Sequence, residues 1–421
     1  MLGPTPRVAV FAALGGIMTL FLAACGGGAG ASTGNASSAP KHIVIGTVYA
    51  GSGPFADSSL PEYQGLQFWI RHENATGGVY VKAFAKKIPI KLVALNDQSS
   101  TTTATTQYEQ LVTQDNINIF VPDFGSVLTL PAVTIAAEHH MLLFDQTATG
   151  APLFTPGNKY IVLCDLPLSA IWPAPLAHFI LGEHISRVAI LYGANDFDAT
   201  QAAAVKSGLA QGGVTPVYYQ SVPTTTTAYG TLLHDIAATN PQAVIELGYA
   251  SNDIPFLQAV QQGGYHFHMV MTAFPGQQLS LIGKAVGPQG LAYTYTYGVP
   301  PYISFSHVSE GLNTSAFIAA FGHGNIANVS FENVAGYNTG LIIQAALGHA
   351  SKFTQLSMRS ALAALSGHFT TLDGAFQINA EGGQTGELLP LAQLLPSGSA
   401  NAVKIVYPQN QADHAAVYPA P

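Results

Sequence analysis

Two short turns in the stretch 121–152 combine small residues with hydroxyl groups. Five residues make up these turns: Gly125, Ser126, Thr147, Ala148 and Thr149. Each turn follows an apolar run typical of a buried strand, at 119–124 and 141–146, and a helix is predicted between them over 127–139. Hydroxyl groups and the unpaired N–H groups of a helix start can bind a carboxylate or an amide oxygen. Because the carboxyl ends of parallel strands meet at one edge of a sheet, we expect the two turns to bind one ligand.

A purely structural role for the same turns remains open. Serine is a common residue at helix starts and threonine is common in turns, so Ser126 and Thr149 could be only a cap and a turn residue.

Catalytic and metal-binding motifs are missing from the sequence. It contains no G-x-S-x-G, H-E-x-x-H or C-x-x-C motif and no P-loop lysine motif. Histidines are dense only at 138–140 and 266–268, and neither spacing supplies a complete ligand set for a metal. We therefore predict a protein that is not an enzyme and has no catalytic residue, no metal and no cofactor, and keep an exported hydrolase as the less favoured alternative.

Strand-like and helix-like segments alternate along the chain in two series. The first series predicts strands at 42–50, 88–97, 119–124, 141–146 and 160–165, with helices at 61–76, 102–115 and 127–139. The second predicts strands at 187–193, 216–222, 243–248 and 268–274, with helices near 198–210, 228–239 and 252–262. Such alternation is typical of parallel sheets with right-handed crossovers, here in two similar lobes. The last third has too few elements for a third domain, so we expect it to complete both lobes.

The composition excludes some partners. Only 9% of the 421 residues are charged, with 14 Lys+Arg against 22 Asp+Glu, so no basic stripe is available for nucleic acid. A low-charge surface also suggests the hypothesis of an acidic exterior, where carboxylates lose part of their charge.

The N-terminus resembles a bacterial lipoprotein signal. Arg7 precedes an apolar run at 8–24, which ends in Leu-Ala-Ala before Cys25. This pattern predicts a signal peptide at 1–24, cleavage before Cys25, acylation of its thiol, and a flexible tether completing the segment 25–40. An uncleaved membrane anchor is the alternative. The second cysteine, Cys164, then has no partner for an internal disulfide, and its apolar neighbours predict a buried side chain.

Eight segments in order resemble the extracytoplasmic solute-binding proteins of ABC importers, in the leucine/isoleucine/valine-binding branch. They are IGTVYAGSGPFA (45–56), HENATGGV (72–79), LVALNDQSS (92–100), VPDFGS (121–126), TATGAPLF (147–154), YGANDF (192–197), TTTTAYGTLLHDIAATNPQAVIELGY (224–249) and GAFQINAEGG (374–383). The resemblance implies an α/β fold of the periplasmic binding protein type I kind: two doubly wound parallel-sheet lobes joined by a three-crossover hinge. It assigns residues 41–168 and 297–389 to lobe 1, and 169–296 and 390–421 to lobe 2.

The resemblance also implies roles for the turns of lobe 1. Gly125 takes the place of the family's usual serine, Ser126 stands next to it, and Thr149 matches the family's threonine. These residues, with the backbone of Ala148, would bind the carboxylate or an equivalent acceptor group.

Four further residues are implied to face the solute. Phe197 stands where the family commonly has a tyrosine, and Tyr249 matches another aromatic residue. Ser58 replaces a tyrosine at the cleft mouth, which suggests a wider entrance. Phe274 stands near the point where amino-acid binders have a carboxylate for the ligand ammonium.

The phenylalanine at position 274, where amino-acid binders have a carboxylate, bears on which solute the protein binds. Nearby acids that could substitute for the missing carboxylate are Asp196, Glu246 and Asp253, although each is explained as simply by a loop or cap role. The sequence therefore favours a small apolar acid or amide over a zwitterionic amino acid.

These expectations describe a monomeric, lipid-anchored extracytoplasmic protein that passes a small solute to an ABC permease. A ligand-sensing receptor domain of the same fold is the alternative from another functional class.

Overall fold

A computed structural model describes residues 38–305, 307–386 and 388–421 of the chain. The sixteen strands of this part are β1 (Ile43–Tyr49), β2 (Val79–Val81), β3 (Lys86–Ile88), β4 (Ile90–Asn96), β5 (Ile119–Val121), β6 (Leu143–Asp145), β7 (Ile161–Leu163), β8 (Val188–Gly193), β9 (Tyr218–Val222), β10 (Ala243–Leu247), β11 (Met269–Thr272), β12 (Tyr295–Tyr297), β13 (Phe369–Thr371), β14 (Gly374–Phe376), β15 (Leu391–Ser397) and β16 (Ala400–Tyr407). The α-helices of the same part are α1 (Ala56–Ala75), α2 (Thr101–Thr113), α3 (Gly125–Glu138), α4 (Ala174–Gly182), α5 (Asp196–Gln211), α6 (Gly230–Ala238), α7 (Ala250–Gln262), α8 (Leu279–Val286), α9 (Pro288–Leu291), α10 (Thr314–Ala320), α11 (Phe331–His349) and α12 (Gln355–Leu365).

The first sheet is entirely parallel, in the order β4-β1-β5-β6-β7. Its three short strands β5, β6 and β7 are fully buried, as expected for strands covered by helices on both faces. The strand order reverses beside β1, so the loops after β1 and β5 border the crevice where open α/β sheets bind ligands.

The second sheet is mixed, in the order β16-β15-β12-β11-β10-β8-β9. Strands β8 to β12 are parallel, whereas β15 runs antiparallel to β12 and β16 antiparallel to β15. The sequence analysis predicted parallel sheets without this antiparallel edge. The reason for the difference is the connection of two residues between β15 and β16, in which Gly398 has a φ of +61°. Such a short connection can join only antiparallel strands.

The chain leaves the first sheet after β7 to form the second sheet and returns after β12, where α11 packs along α1. It reaches the second sheet again at β15, after the separate two-stranded sheet of β13 and β14. The last third therefore packs against α1 through α11 and adds β15 and β16 to the second sheet. Helix α11 packs along α1, and two glycines permit the close approach. A Cβ atom at Gly336 would lie 1.9 Å from the carbonyl oxygen of Glu62, and one at Gly65 would lie 2.1 Å from that of Asn333.

Cys164 is a buried free cysteine, as its apolar neighbours predict. The signal peptide, Cys25 and residues 26–37 of the tether lie outside the described residues. Within the described ranges, no helix combines the length and the apolar character that a membrane span requires.

Candidate ligand-binding site

An enclosed cavity lies where the loops after the parallel strands of the two sheets meet. Ten residues line it: Phe124, Thr147, Thr149, Asp165, Trp172, Phe197, Tyr249, Phe274, Gln277 and Phe331. Its free volume is about 10 Å³, which is room for about one water molecule. The cleft is therefore closed in this structure, and a solute could enter only if the two sides separate.

Helix α3 begins at Gly125, two residues earlier than the sequence predicts. The φ of Gly125 is +70°, which favours glycine, and a Cβ atom there would lie 3.1 Å from the hydroxyl oxygen of Tyr249. The N–H group of Gly125 donates to the Thr147 hydroxyl at 3.0 Å. That hydroxyl in turn donates to the buried carboxyl group of Glu62 at 3.1 Å. Thr147 therefore lines the cavity with its hydroxyl group held between Gly125 and Glu62.

Thr149 offers an unused hydroxyl group at the cavity. Its side chain is buried, and its Oγ1 atom forms no hydrogen bond within the described chain. The backbone oxygen of Thr149 is held by Ser169, whose N–H group and hydroxyl donate to it at 2.9 and 3.0 Å. The backbone is thus fixed while the hydroxyl is available to a ligand.

Four of the residues proposed from the sequence do not line the cavity: Gly125, Ser126, Ala148 and Ser58. The Ser126 hydroxyl accepts a hydrogen bond from the Gly150 N–H group at 3.1 Å, and Ser126 borders an outer groove. The N–H group of Ala148 donates to the Asp145 carboxyl group at 2.9 Å. Ser58 accepts a hydrogen bond from the Gln278 side chain at 2.8 Å. Ser58 thus joins α1 to the segment that precedes α8, across the closed cleft.

Aromatic side chains form the rest of the wall. Tyr249 packs against Phe197, with ring centroids 5.4 Å apart, and against Phe274 at 5.9 Å. Phe124, from the first-sheet side, lies 5.8 Å from Tyr249. Trp172 lies 5.2 Å from Phe197. The structure therefore brings together the three aromatic residues singled out in the sequence, Phe197, Tyr249 and Phe274.

The hydroxyl group of Tyr249 is placed at the amino end of α3. It is buried and has no hydrogen-bond partner among the described residues. Burial raises the pKa of Tyr249 well above its ordinary value, as does the charge of Asp198, while the N–H groups of Val127 and Ser126 act in the opposite direction. Tyr249 is therefore a neutral hydroxyl that can donate to a ligand oxygen.

Asp165 is the cavity residue that matters most among those the sequence analysis missed. It is 2% exposed, and neither carboxyl oxygen has a hydrogen-bond partner among the residues described. Burial is the largest cause of its raised pKa, followed by the neighbouring carboxyl group of Asp373. Asp373 is fixed on its other side by a hydrogen bond from Asn338. The signal was present, because Asp165 ends the apolar segment YIVLCD as a lone charged residue after a buried strand.

The acids that the sequence analysis considered near Phe274 lie elsewhere. Asp253 is buried beside Glu246 and accepts a hydrogen bond from the Phe274 N–H group at 2.7 Å. Asp196 borders the outer groove. None of the three lines the cavity, so the acid that faces it is Asp165.

Phe124, Trp172, Gln277 and Phe331 were also missed. Phe124 directly precedes Gly125 at the end of a predicted strand, which is a signal that could have identified it. Gln277 and Phe331 are brought together by a backbone hydrogen bond of 3.0 Å, from the Phe331 N–H group to the Gln277 carbonyl oxygen. No local pattern in the sequence indicates that contact.

A family model described as periplasmic binding protein matches residues 42–399. The chain belongs to this family. Curated relatives of this periplasmic binding protein are named as Leu/Ile/Val-binding proteins. Leu/Ile/Val-binding protein homolog 7 of Brucella abortus is 21% identical over 341 residues, which are 78% of this chain and 83% of that protein. The Leu/Ile/Val/Thr-binding protein of Salmonella typhimurium is 26% identical over 252 residues, which are 59% of this chain and 62% of that protein.

Solved structures share the fold of this periplasmic binding protein. A leucine binding protein from Thermotoga maritima gives a TM-score of 0.72 at 13% identity and covers 86% of this chain and 97% of its own. A solute binding protein from R. palustris, in complex with 4-hydroxybenzoate, gives a TM-score of 0.73 at 16% identity and covers 87% of this chain and 96% of its own. The type I periplasmic binding protein fold implied by the sequence is thus confirmed.

The geometry suits reversible binding. Free hydroxyl groups, one carboxyl group and the Gln277 side chain face a cavity whose other walls are mainly aromatic, which is the usual composition of a small-molecule site. Across the described residues, no three or more His, Cys, Asp or Glu side chains are grouped to hold a metal ion. The relatives named above are binding proteins.

Proposed function

We propose that this periplasmic binding protein captures a small solute in the cleft between its two lobes and delivers it to an ABC permease. The observation that carries the proposal is the closed cavity at the carboxyl ends of both sheets, with unpartnered hydroxyl groups among aromatic side chains. The lobes proposed to move apart are residues 41–168 with 297–389 and residues 169–296 with 390–421. A solute that contacts both lobes would favour the closed state.

The proposed solute belongs to the branched-chain amino acid, amide and carboxylate class. The names of the relatives support amino acids, since they are Leu/Ile/Val-binding and Leu/Ile/Val/Thr-binding proteins. Structural neighbours in complex with 4-hydroxybenzoate and benzoate support aromatic acids. The aromatic wall of the cavity suits the apolar body that these solutes share.

We also propose that the protein is a monomer held outside the cytoplasm by lipid on Cys25. The support is the apolar run that ends in Leu-Ala-Ala before this cysteine. In the native host, Cys25→Ser should move the protein from the membrane fraction to a soluble or secreted fraction. Cys164→Ser is the matched control, because that cysteine is buried in the fold. Equal membrane association of both variants and the wild type would reject the lipid anchor.

The function is tested by the solutes that the protein retains. Protein purified from its host without added ligand should release a small organic solute on denaturation, detected by mass spectrometry. After unfolding and refolding to remove it, the same solute should bind again and reduce the radius of gyration measured by X-ray scattering, because the cleft closes. Recovery of the solute unchanged supports binding, whereas its conversion would favour the hydrolase alternative. If no solute is retained, bound or able to change the scattering, the proposed function is wrong.

A further inference from the structure

The carboxyl group of Asp165 has no protein partner although it is buried. Its two oxygen atoms form no hydrogen bond with the described part of the chain, and the residue lines the cavity. In the described ranges the ion pairs are His139 with Glu109, His349 with Glu310 and Lys404 with Asp413, so no protein cation pairs with Asp165. A buried acceptor without a partner is costly, which indicates that the partner comes from outside the chain.

The neighbouring acids restrict what that partner can be. Asp373 lies beside Asp165, and the charge of Glu62 also acts on it. Two adjacent carboxyl groups do not readily ionise together, because like charges repel each other. A solute carboxylate at this point would add a third acid to the pair, whereas an N–H donor would meet an acceptor.

We propose that Asp165, positioned by Asp373, accepts a hydrogen bond from an ammonium or primary amide group of the solute and thereby selects against solutes that have only a carboxylate. This inference rests on the proposed function and identifies a specificity-determining residue of the same cleft. The hydroxyl groups of Thr149 and Tyr249, which also lack partners among the described residues, bind the oxygen atom of the same solute. The solute therefore carries both a donor nitrogen and an acceptor oxygen on a small apolar body.

The position of this acceptor differs from the one that the sequence analysis sought. The family resemblance implies an acid after a strand of the second sheet, near Phe274. Asp165 instead follows β7 of the first sheet, where the chain first crosses to the second sheet.

A matched set of solutes tests the inference by isothermal titration calorimetry on protein refolded without ligand. Leucine, 4-methylpentanamide and 4-methylpentanoate share one apolar body and differ in their polar groups. The wild type should bind leucine or the amide at least about tenfold more tightly than the carboxylate, since a hydrogen bond to a charged group has about that effect. Tightest binding of 4-methylpentanoate would overturn the inference, and this ranking requires no variant.

Two variants add a second measurement. Asp165→Asn keeps the shape of the side chain and should weaken binding of the preferred solute about tenfold or more, with little change for 4-methylpentanoate. Glu246→Gln is the matched control, because Glu246 is a buried acid beside another acid but does not line the cavity. It should leave the ranking and the affinities unchanged. Unchanged affinity in Asp165→Asn would overturn the inference.

Failure of the inference is distinguishable from failure of the proposed function. If the retained solute has a carboxylate and no N–H donor, the inference is overturned and the proposed function stands. If no member of the set binds and no solute is retained, both are overturned. If the retained solute carries an ammonium or amide group and Asp165→Asn weakens its binding, both are supported.

Discussion

The thermal stability of this protein should fall as the pH rises from 4 to 8. Ten carboxyl groups are buried in the described chain: Glu62, Asp97, Asp123, Asp145, Asp165, Asp198, Glu246, Asp253, Glu332 and Asp373. The pKa of each lies above its ordinary value, and burial is the largest cause in every case. In the folded state these groups therefore bind protons more tightly than they do in the unfolded chain.

The sign of the effect follows from that difference. Below the ordinary carboxyl pKa both states are protonated, and the stabilisation is fully present. As the pH rises, the unfolded chain releases its protons first, so the free energy of unfolding falls until the folded pKa is reached. Burial raises the pKa of Glu332 from 4.5 to about 8 and that of Asp253 from 3.8 to about 7. At about 1.36 kcal/mol per unit of pKa, these shifts correspond to about 5 and about 4 kcal/mol.

These values are large beside the total stability of about 5–15 kcal/mol that is typical of a folded domain. Relaxation of the chain around an ionised group lowers them, so we expect a loss of at least about 3 kcal/mol. For a lobe of about 150–250 residues this corresponds to a melting temperature at least about 6–12 °C lower at pH 8 than at pH 4. Differential scanning calorimetry at constant ionic strength measures it. A melting temperature that is equal or higher at pH 8 would refute the reasoning.

A pair of variants distinguishes the loss of stability caused by buried acids from the titration of exposed groups. Glu332→Gln removes one buried acid, so it should raise the melting temperature at pH 8 and change it little at pH 4. Glu138→Gln is the control, because Glu138 is exposed at the end of α3, and it should change neither value. Equal behaviour of the two variants at pH 8 would show that burial of Glu332 does not cause the loss.

Three further changes have defined outcomes. Thr149→Ala should weaken binding of the retained solute about fivefold, measured by calorimetry, without changing the melting temperature. Thr113 is an exposed residue of α2, so Thr113→Ala is the control and should leave the affinity unchanged. Gly336→Ala should destabilise the protein by about 3 kcal/mol, measured by urea unfolding, because its Cβ atom would lie 1.9 Å from the Glu62 carbonyl oxygen. Gly348→Ala is the control in the same helix, because its Cβ atom would meet no atom within 4 Å, and it should cause no such loss. Gln278→Ala removes the hydrogen bond to Ser58 and should increase the radius of gyration of the solute-bound form; an unchanged radius would refute its role in closure.

The alternating strands and helices of the two series could be predicted from the sequence because each has its own local pattern. Helix α4 and the three-residue strands β2, β3 and β12 were not predicted. Helix α3, which follows β5, shows how closely the start of a helix could be predicted. It begins at Gly125 rather than at residue 127, because a left-handed glycine and a hydrogen bond to Thr147 extend its first turn. The antiparallel direction of β15 and β16 was not predicted, because it depends on the two-residue turn at 398–399.

The candidate site was predicted in part. Thr147, Thr149, Phe197, Tyr249 and Phe274 line the cavity, since each follows a strand that the sequence pattern and the family resemblance identify. Asp165 was missed because its environment depends on Asp373 and Asn338, which are distant in the sequence. Contacts of that kind arise from the packing of segments that are distant in the sequence, and no periodic pattern of residues indicates them.

The charge balance of the chain connects its stability to its site. The chain has 14 Lys+Arg against 22 Asp+Glu, and the ion pairs of the described residues include none of the buried acids. Burial raises the pKa of these acids, which favours their protonated form. A protonated acid is a neutral hydrogen-bonding group, so such a core is most stable where protons are abundant. This supports the hypothesis of an acidic exterior. Asp165 differs from the other buried acids because it lines the cavity. Its two oxygen atoms, which have no partner among the described residues, can accept a hydrogen bond from a donor group on the proposed solute. The same acid-rich interior would then select what the cleft binds.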